Sequence, residues 1–324
     1  MKNYDVVIVG AGPAGLGCAI SAVKRKLNVL LMDKGNIVSS IIDFPVNMTF
    51  FSTADALEIH NIPFNSMNFR PNRTEAVRYY HSLVRHFHIS TETLATVTKV
   101  TKNDVGFEIH FIQSGLNQII TSKKVIIATG FYDNPNRLEV EGEDLEHVSH
   151  YYMDPLRNFN QDVVIVGGKN SAVEAALELH RTGARVSIVH RRNAIKESVK
   201  YWVLPDIENR IKEKSIKAYL NSTVKKITHE FVEIENGHGI QKLPASAVYL
   251  LIGYHPDFSL LDKIGVQFDE KSLEPVIDPK SLESNIEGLY LAGSIIAGRN
   301  ANKIFIENSR EHGEKILSDI ELKL

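Results

Sequence analysis

The sequence predicts an α/β protein built from two Rossmann-like dinucleotide-binding units, and three observations carry that prediction. Asp5–Gly10 is an apolar, β-branched run that breaks into Gly10-Ala11-Gly12-Pro13-Ala14-Gly15 and then opens a helix of small residues. The same six residues, Asp-Val-Val-Ile-Val-Gly, return 157 positions later as Asp162–Gly167, again before a small-residue helix start. A second strand, Asn28–Met32, follows the first helix and ends in Asp33.

In the first unit, a strand covered on both faces of a parallel sheet reads as a continuous apolar run. The glycines after it let the chain turn tightly, approach a pyrophosphate and pack helix on sheet. Leu16, Ala19, Ile20 and Val23 give the following helix its apolar face. Its N-terminus, near Gly12, would offer free N–H groups and a positive dipole end to a phosphate. Asp33 stands at the spacing from Gly10 at which a carboxylate accepts from a ribose hydroxyl. Gly10, Gly12, Gly15 and Asp33 are therefore assigned to an adenine dinucleotide with a free ribose.

In the second unit the same offset puts Lys169 at the position of Gly12 and Ala172 at that of Gly15. Alanine still permits helix packing, whereas a lysine either weakens the close approach or adds a cation beside the phosphates. Asp33 maps onto His190, followed by Arg191 and Arg192. A basic cluster at a strand end suits a 2′-phosphate through charge-assisted, bidentate hydrogen bonds, which assigns this unit to NADPH. Asn170, Ser171 and the helix start would hold its pyrophosphate.

With 324 residues and 43% apolar content, the chain can fill two cores. A net charge of −2 offers no basic field for nucleic acid. No apolar run approaches the roughly 18 residues that span a bilayer, and no leader precedes the first strand, so a cytoplasmic protein without a membrane partner is expected. The single cysteine, Cys18, excludes an internal disulfide, a CxxC motif and a cysteine-rich zinc site. His81, His86 and His88 have no convergent carboxylate or thiolate pattern, and no metal site is predicted.

Between Asp33 and Asn72 the chain has neither a period of 2 nor one of 3.6, and its aromatics (Phe44, Phe50, Phe51, Phe64, Phe69) suit either a wall for a planar ring or a patch of core under a loop. Thr74–His88 predicts an amphipathic helix capped by Thr74. Thr96–His110 and Asn117–Thr129 predict strands around a Ser114-Gly115 turn. Asn302–Leu317 has helical spacing, with an N-terminus near Ala301 that would aim free N–H groups and a positive dipole end at whatever lies there.

The first glycine turn, Ala128-Thr129-Gly130 and Gly288-Leu289-Tyr290-Leu291-Ala292-Gly293 together resemble, over nearly the whole chain, the two-dinucleotide flavoprotein class that includes thioredoxin reductases. That resemblance implies three-layer (ββα/βαβ) domains. It puts FAD in a discontinuous domain, residues 1–130 and 254–324, and NADPH in an inserted domain, residues 131–253, with hinges near Gly130 and Gly253. It extends the FAD contacts to Pro13, Ala14, Lys34, Val97, Ala128, Thr129, Gly130, Gly293 and Ser294. It extends the NADPH contacts to Gly168, Glu174, Ile252 and Gly253.

Three further blocks, Met48–Thr53, Gly167–Ala172 and Asn302–Asn308, are similar to the YpdA family of bacillithiol disulfide reductases. This implies FAD contacts from Met48, Phe51, Asn302, Lys303 and Ile304, and makes Lys169 a family feature. There are departures. Where thioredoxin reductases carry CxxC this chain has His150–Pro155, so a dithiol relay is unavailable. The usual Gly-Asp is Gly293-Ser294, which carries no charge. The cysteine that the YpdA pattern places in the first glycine loop is Ala14. Cys18 lies one helical turn deeper on the same face and is expected to be a buried core residue, not a displaced redox thiol.

The resemblance implies an FAD-dependent NADPH oxidoreductase without a CxxC dithiol, passing electrons to a low-molecular-weight disulfide. A ferredoxin- or flavodoxin-NADP reductase, serving a small redox protein, and a non-catalytic nucleotide-responsive flavoprotein stay open as alternatives. So does a homo-oligomer.

Overall fold

The computed structural model describes residues 2–195 and 199–324, apart from the side chains of residues 301 and 302. It divides into two compact units. Unit one comprises the chain up to Ile42, Asn47–Asn134 and His255–Leu324; unit two comprises Asp43–Val46 and Pro135–Tyr254.

Unit one begins with β1 (Asn3–Val9), α1 (Pro13–Lys24) and β2 (Val29–Met32). β1 lies parallel to β2, with Val6 opposite Val29, because its run of buried branched residues has core on both faces. Pro13 opens α1, where a missing N–H costs nothing. A short α2 (Ser39–Ile42) and a 3₁₀ turn at Asp55–Leu57 interrupt the aromatic stretch. Phe50 and Phe64 are buried, while Phe51 and Phe69 are exposed. Phe64 stacks on Tyr79 at 4.3 Å.

The next helix, α3, spans Arg73–His86 and is capped by Asn72 instead of Thr74. Asn72 accepts from the Glu75 amide at 2.9 Å, and the Glu75 carboxylate accepts from the Asn72 amide at 2.8 Å. This reciprocal box satisfies two orphan donors, which Thr74 could not do from inside the first turn. β3 (Thr91–Glu92), β4 (Ala95–Asn103), β5 (Gly106–Gln113) and β6 (Leu116–Ile127) follow. The strand expected over Thr96–His110 is broken by a hairpin at Asp104-Val105. Gly106 there has φ +143°, and a Cβ on it would lie 2.3 Å from the Ser122 carbonyl oxygen.

Unit two holds β7 (Val148–Ser149), β8 (Asp162–Val166), α4 (Asn170–Arg181), β9 (Arg185–Val189), α5 (Leu204–Lys212) and β10 (Lys217–Tyr219). β11 (Thr223–Ile227), β12 (Phe231–Asn236), β13 (Gly239–Pro244) and β14 (Ala247–Leu250) complete it. A parallel sheet in the order β10-β9-β8-β14-β7 lies between helices and the antiparallel sheet β11-β12-β13. The period-2 alternation of β8 makes the layers: Val163 and Ile165 pack with Ala172, Val173 and Ala176 of α4, and Val164 and Val166 pack with Val232, Ile234 and Leu243.

The chain returns to unit one through α6 (Ser259–Ile264), β15 (Leu289–Leu291), α7 (Ile306–Ser309) and α8 (His312–Lys323). The first sheet runs β3-β2-β1-β6-β5-β4. β6 is long enough to pair with β5 along Leu116–Ser122 and with β15 along Val125–Ile127. The single helix expected over Asn302–Leu317 is replaced by a 3₁₀ segment, Gly293–Lys303, kinked at Gly298 and Asn300, and then by α7 and α8. The backbone of Gly298, at φ +52°, is pinned against Ser272–Glu274, where any Cβ would collide.

Candidate functional site

The two glycine turns make the same backbone contacts in their own units, so the sequence repeat is also a repeat of geometry. Gly10 N–H donates to the Met32 carbonyl at 2.8 Å and Ala128 N–H to the Val9 carbonyl at 2.7 Å. At the offset positions, Gly167 N–H donates to Val189 at 3.0 Å and Leu251 N–H to Val166 at 2.8 Å. A Cβ on Gly10 would lie 2.3 Å from the Ala128 oxygen, and one on Gly167 would lie 2.5 Å from the Leu251 oxygen. Both glycines are thus required by the adjoining strand.

The three glycines of the first turn differ in what demands them. Gly15 allows the turn to fold onto α1, since a Cβ there would lie 1.9 Å from the Gly10 oxygen. Gly12 has an ordinary φ of −69° and ψ of 178°, and nothing of the chain lies within 4 Å of its would-be Cβ. Neither backbone strain nor internal packing requires a glycine at that point. The open space borders the first turn of α1, which has no side-chain cap and no acidic residue. Its free N–H groups and dipole fit a pyrophosphate.

Asp33 closes the turn from the side. Its Oδ2 accepts from Ala11 N–H at 2.7 Å, and its Oδ1 from Gly35 N–H at 2.7 Å and Ser39 Oγ at 3.3 Å. Burial raises its carboxyl above the usual carboxylate range against the pull of those two amides. Acceptor capacity remains on Oδ2 for a ribose hydroxyl. Lys34, beside it, pairs with Asp133 at 3.0 Å.

Two more turns join this cluster. Gly130, at φ +71°, follows Ala128-Thr129 at the end of β6, and Gly293, at φ +76°, follows β15. A Cβ on Gly293 would lie 2.9 Å from the Ala14 methyl, and Ser294 Oγ lies 3.9 Å from where a Gly130 Cβ would be. The Gly293 amide donates to His312 Nδ1 at 3.1 Å. His312 escaped the sequence analysis because a lone imidazole on an amphipathic helix carries no spacing signal.

The remaining first-unit residues make contacts of their own segments. The Met48 carbonyl accepts from Arg73 N–H at 2.9 Å, and Val97 packs on the core at a bulge of β4. Lys303 is exposed and Ile304 half-buried in the break before α7; the side chain of Asn302 lies outside the described residues.

In the second unit, Gly168 is demanded by His190. A Cβ there would lie 2.3 Å from His190 Nδ1, so the imidazole rests on this glycine much as Asp33 reaches Ala11. Burial pushes the His190 imidazole down, with Arg192 and Arg191 adding to the shift. Arg191 and Arg192 are exposed, as are Lys169 at the N-cap of α4 and Ser171. Asn170 Oδ1 accepts from Lys200 N–H at 3.0 Å, and Glu174 pairs with the Lys200 ammonium at 2.8 Å. Lys200 was not found from the sequence either; it reaches α4 from a separate segment. The carbonyls of Ile252 and Gly253 accept from Asn136, at 3.2 Å from Nδ2 and 2.9 Å from the amide.

Cys18 is fully buried, and burial pushes its thiol up to about 12. Among the described residues no group of three or more His, Cys, Asp or Glu side chains could hold a metal, and no helix is long and apolar enough to cross a membrane.

Two such turns, each at a strand end before a helix, define a two-dinucleotide oxidoreductase that uses a flavin and a nicotinamide cofactor. The chain is 40% identical over 321 residues to the bacilliredoxin reductase Bdr of Bacillus subtilis (strain 168), covering 99% of this chain and 98% of that protein. The bacillithiol disulfide reductase Bdr (YpdA) from Bacillus cereus superposes with a TM-score of 0.96 at 39% identity, covering 100% of both chains. Its counterpart from Staphylococcus aureus gives 0.94 at 37% identity, covering 100% of this chain and 99% of that one. The chain belongs to the pyridine nucleotide-disulphide oxidoreductase family, which it matches over residues 7–293, and within it to the Bdr (YpdA) reductases.

Proposed function

We propose that this protein passes electrons from NADPH through FAD to a low-molecular-weight disulfide of the bacillithiol type. The observation that carries the cofactor part is Gly12, a glycine that the fold itself does not need, beside uncapped helix amides. The acceptor part is supported by relatives of nearly equal length whose names specify bacillithiol disulfide or bacilliredoxin. When bound, the cofactor pair would supply the two electrons and one proton of a hydride and solvent a second proton, so that NADPH, one proton and one disulfide give NADP⁺ and two thiols.

The chain's residues bind and orient. Gly10, Gly12 and Gly15, with Pro13 and Ala14, receive the FAD pyrophosphate on α1, and Asp33 accepts from the ribose. Ala128, Thr129, Gly130, Gly293 and Ser294 form the facing turns, and Ser294 offers a neutral hydroxyl to the linking arm. The roles of Lys34, Met48, Phe51, Val97, Asn302, Lys303 and Ile304 around the flavin rest on the family resemblance. In the second unit Gly168, Lys169, Asn170, Ser171 and Glu174 form the pyrophosphate end, with Ile252 and Gly253 closing the facing turn. Arg191 and Arg192, with His190, take the 2′-phosphate. With one cysteine, the protein forms no internal disulfide, so the acceptor is reduced without an enzyme dithiol. The fully buried Cys18 takes no part.

Anaerobic addition of NADPH to the FAD-loaded protein is expected to bleach the flavin absorbance, and bacillithiol disulfide to restore it faster than ferredoxin does. A protein that takes up no FAD would remove the cofactor assignment. Faster recovery with ferredoxin would remove the acceptor.

A further inference from the structure

We propose that His312 is a positioning residue for the FAD site, holding the Gly293-Ser294 turn in place through the Gly293 amide. This rests on the assignment of FAD to unit one.

The turn sits between the other backbone turns of the site. Gly293 is pressed on the glycine loop, 2.9 Å separating its would-be Cβ from the Ala14 methyl, and Ser294 Oγ stands near Gly130. Sheet pairing stops one residue earlier, where Ala292 N–H donates to the Ile127 carbonyl at 2.9 Å. The next amide, that of Gly293, has left the strand ladder and lies in a buried setting. An unsatisfied donor there would be costly. His312 Nδ1 accepts it at 3.1 Å.

The helix that carries the imidazole is itself held against α1. His312 opens α8, and the next residue, Gly313, lies so close to α1 that a Cβ on it would be 2.6 Å from the Gly17 oxygen. The contact that seats α8 on the glycine-loop helix thus also fixes the backbone that carries the ring. Burial and the Lys315 charge push the imidazole down to about 4, so Nδ1 is a free acceptor at neutral pH and the proton resides on Nε2. A positive charge at this place would also face the positive end of α8.

The test uses three variants of the full chain. His312→Leu removes the acceptor, His312→Asn keeps one at the same δ position, and His312→Gln moves it to the ε position. FAD dissociation constants from titration of apoprotein, and the spectrum and reduction potential of the bound flavin, are read beside apoprotein melting. Losing the acceptor for one buried donor is expected to raise the FAD Kd about tenfold in His312→Leu, while His312→Asn stays within about threefold of wild type. The flavin spectrum or potential should move in His312→Leu and return in His312→Asn. If His312→Leu does not fold, the contrast of Asn with Gln decides, and tighter binding by Asn is required. Wild-type Kd and potential in folded His312→Leu, or equal impairment in Leu and Asn, overturns the inference alone. A wild-type protein that binds no FAD overturns the cofactor assignment and this inference with it.

Discussion

Replacing Gly12 by alanine separates what the fold needs from what a bound dinucleotide needs. The new methyl would meet no atom of the chain within 4 Å, and φ −69° with ψ 178° suits any L-residue. Alanine reduces the freedom of the unfolded chain but is a poorer N-cap than glycine. These opposed effects should leave apoprotein stability within about 1 kcal/mol of wild type. A pyrophosphate seated on the amides of α1 would instead be pushed outward by the methyl. The loss of one or two charge-assisted hydrogen bonds, about 1.5–3 kcal/mol each, weakens FAD binding by at least about tenfold. Gly15→Ala is the contrasting control, because its Cβ would lie 1.9 Å from the Gly10 oxygen and must disturb the turn itself. Fluorescence titration of apoprotein with FAD, and urea unfolding of the same preparations, read the two effects apart. Wild-type FAD affinity in Gly12→Ala, or destabilisation equal to that of Gly15→Ala, would refute the reasoning.

Three other expectations are open to measurement. Removing both guanidinium groups with Arg191→Ala and Arg192→Ala should cut the preference for NADPH over NADH by at least about tenfold, since a 2′-phosphate loses its charge-assisted partners; unchanged kcat/KM ratios would count against the assignment. The His312 imidazole is held near 4 against an ordinary 6.5, so the unfolded chain binds a proton that the fold refuses. Its contribution is intact above about pH 6.5 and falls as pH drops toward about 4, by up to about 3 kcal/mol, so His312→Asn should show a shallower loss of stability between about pH 7 and pH 5. Parallel pH dependences in urea melts would contradict this. Cys18, fully buried with its thiol pushed up to about 12, should resist iodoacetamide in the native protein at neutral pH. Cys18→Ala should keep disulfide reduction; its abolition with flavin reduction by NADPH intact would show that the thiol takes part.

What the sequence made legible was set by local, repeated patterns. The offset of 157 residues relates Gly10 to Gly167, Met32 to Val189 and Val9 to Val166, and these pairs make matching hydrogen bonds. Branched runs identified β1 and β8, because a strand with core on both faces has no polar side to show. Boundaries set by competing side chains were harder. Asn72 won the cap of α3 from Thr74 because Glu75 answers it, and the hairpin at Asp104-Val105 depends on Gly106 passing against Ser122. The C-terminal helix was overestimated since its apolar spacing continues across the end of the 3₁₀ segment at Lys303 and the break between α7 and α8. Lys200 and His312 were invisible for a different reason: each acts through one contact with a residue distant in sequence, Asn170 or Glu174 for one and Gly293 for the other.

The way unit one is divided along the chain bears on how the protein is made. β6 emerges from the ribosome well before β15, its parallel partner, and Gly17 of α1 emerges long before Gly313 covers it. All of Pro135–Tyr254 is synthesised in the interval. A nascent chain therefore carries an unfinished sheet edge and a bare helix face while most of unit two is produced. Slower translation or scarcer chaperone through that interval should lower the yield of intact protein.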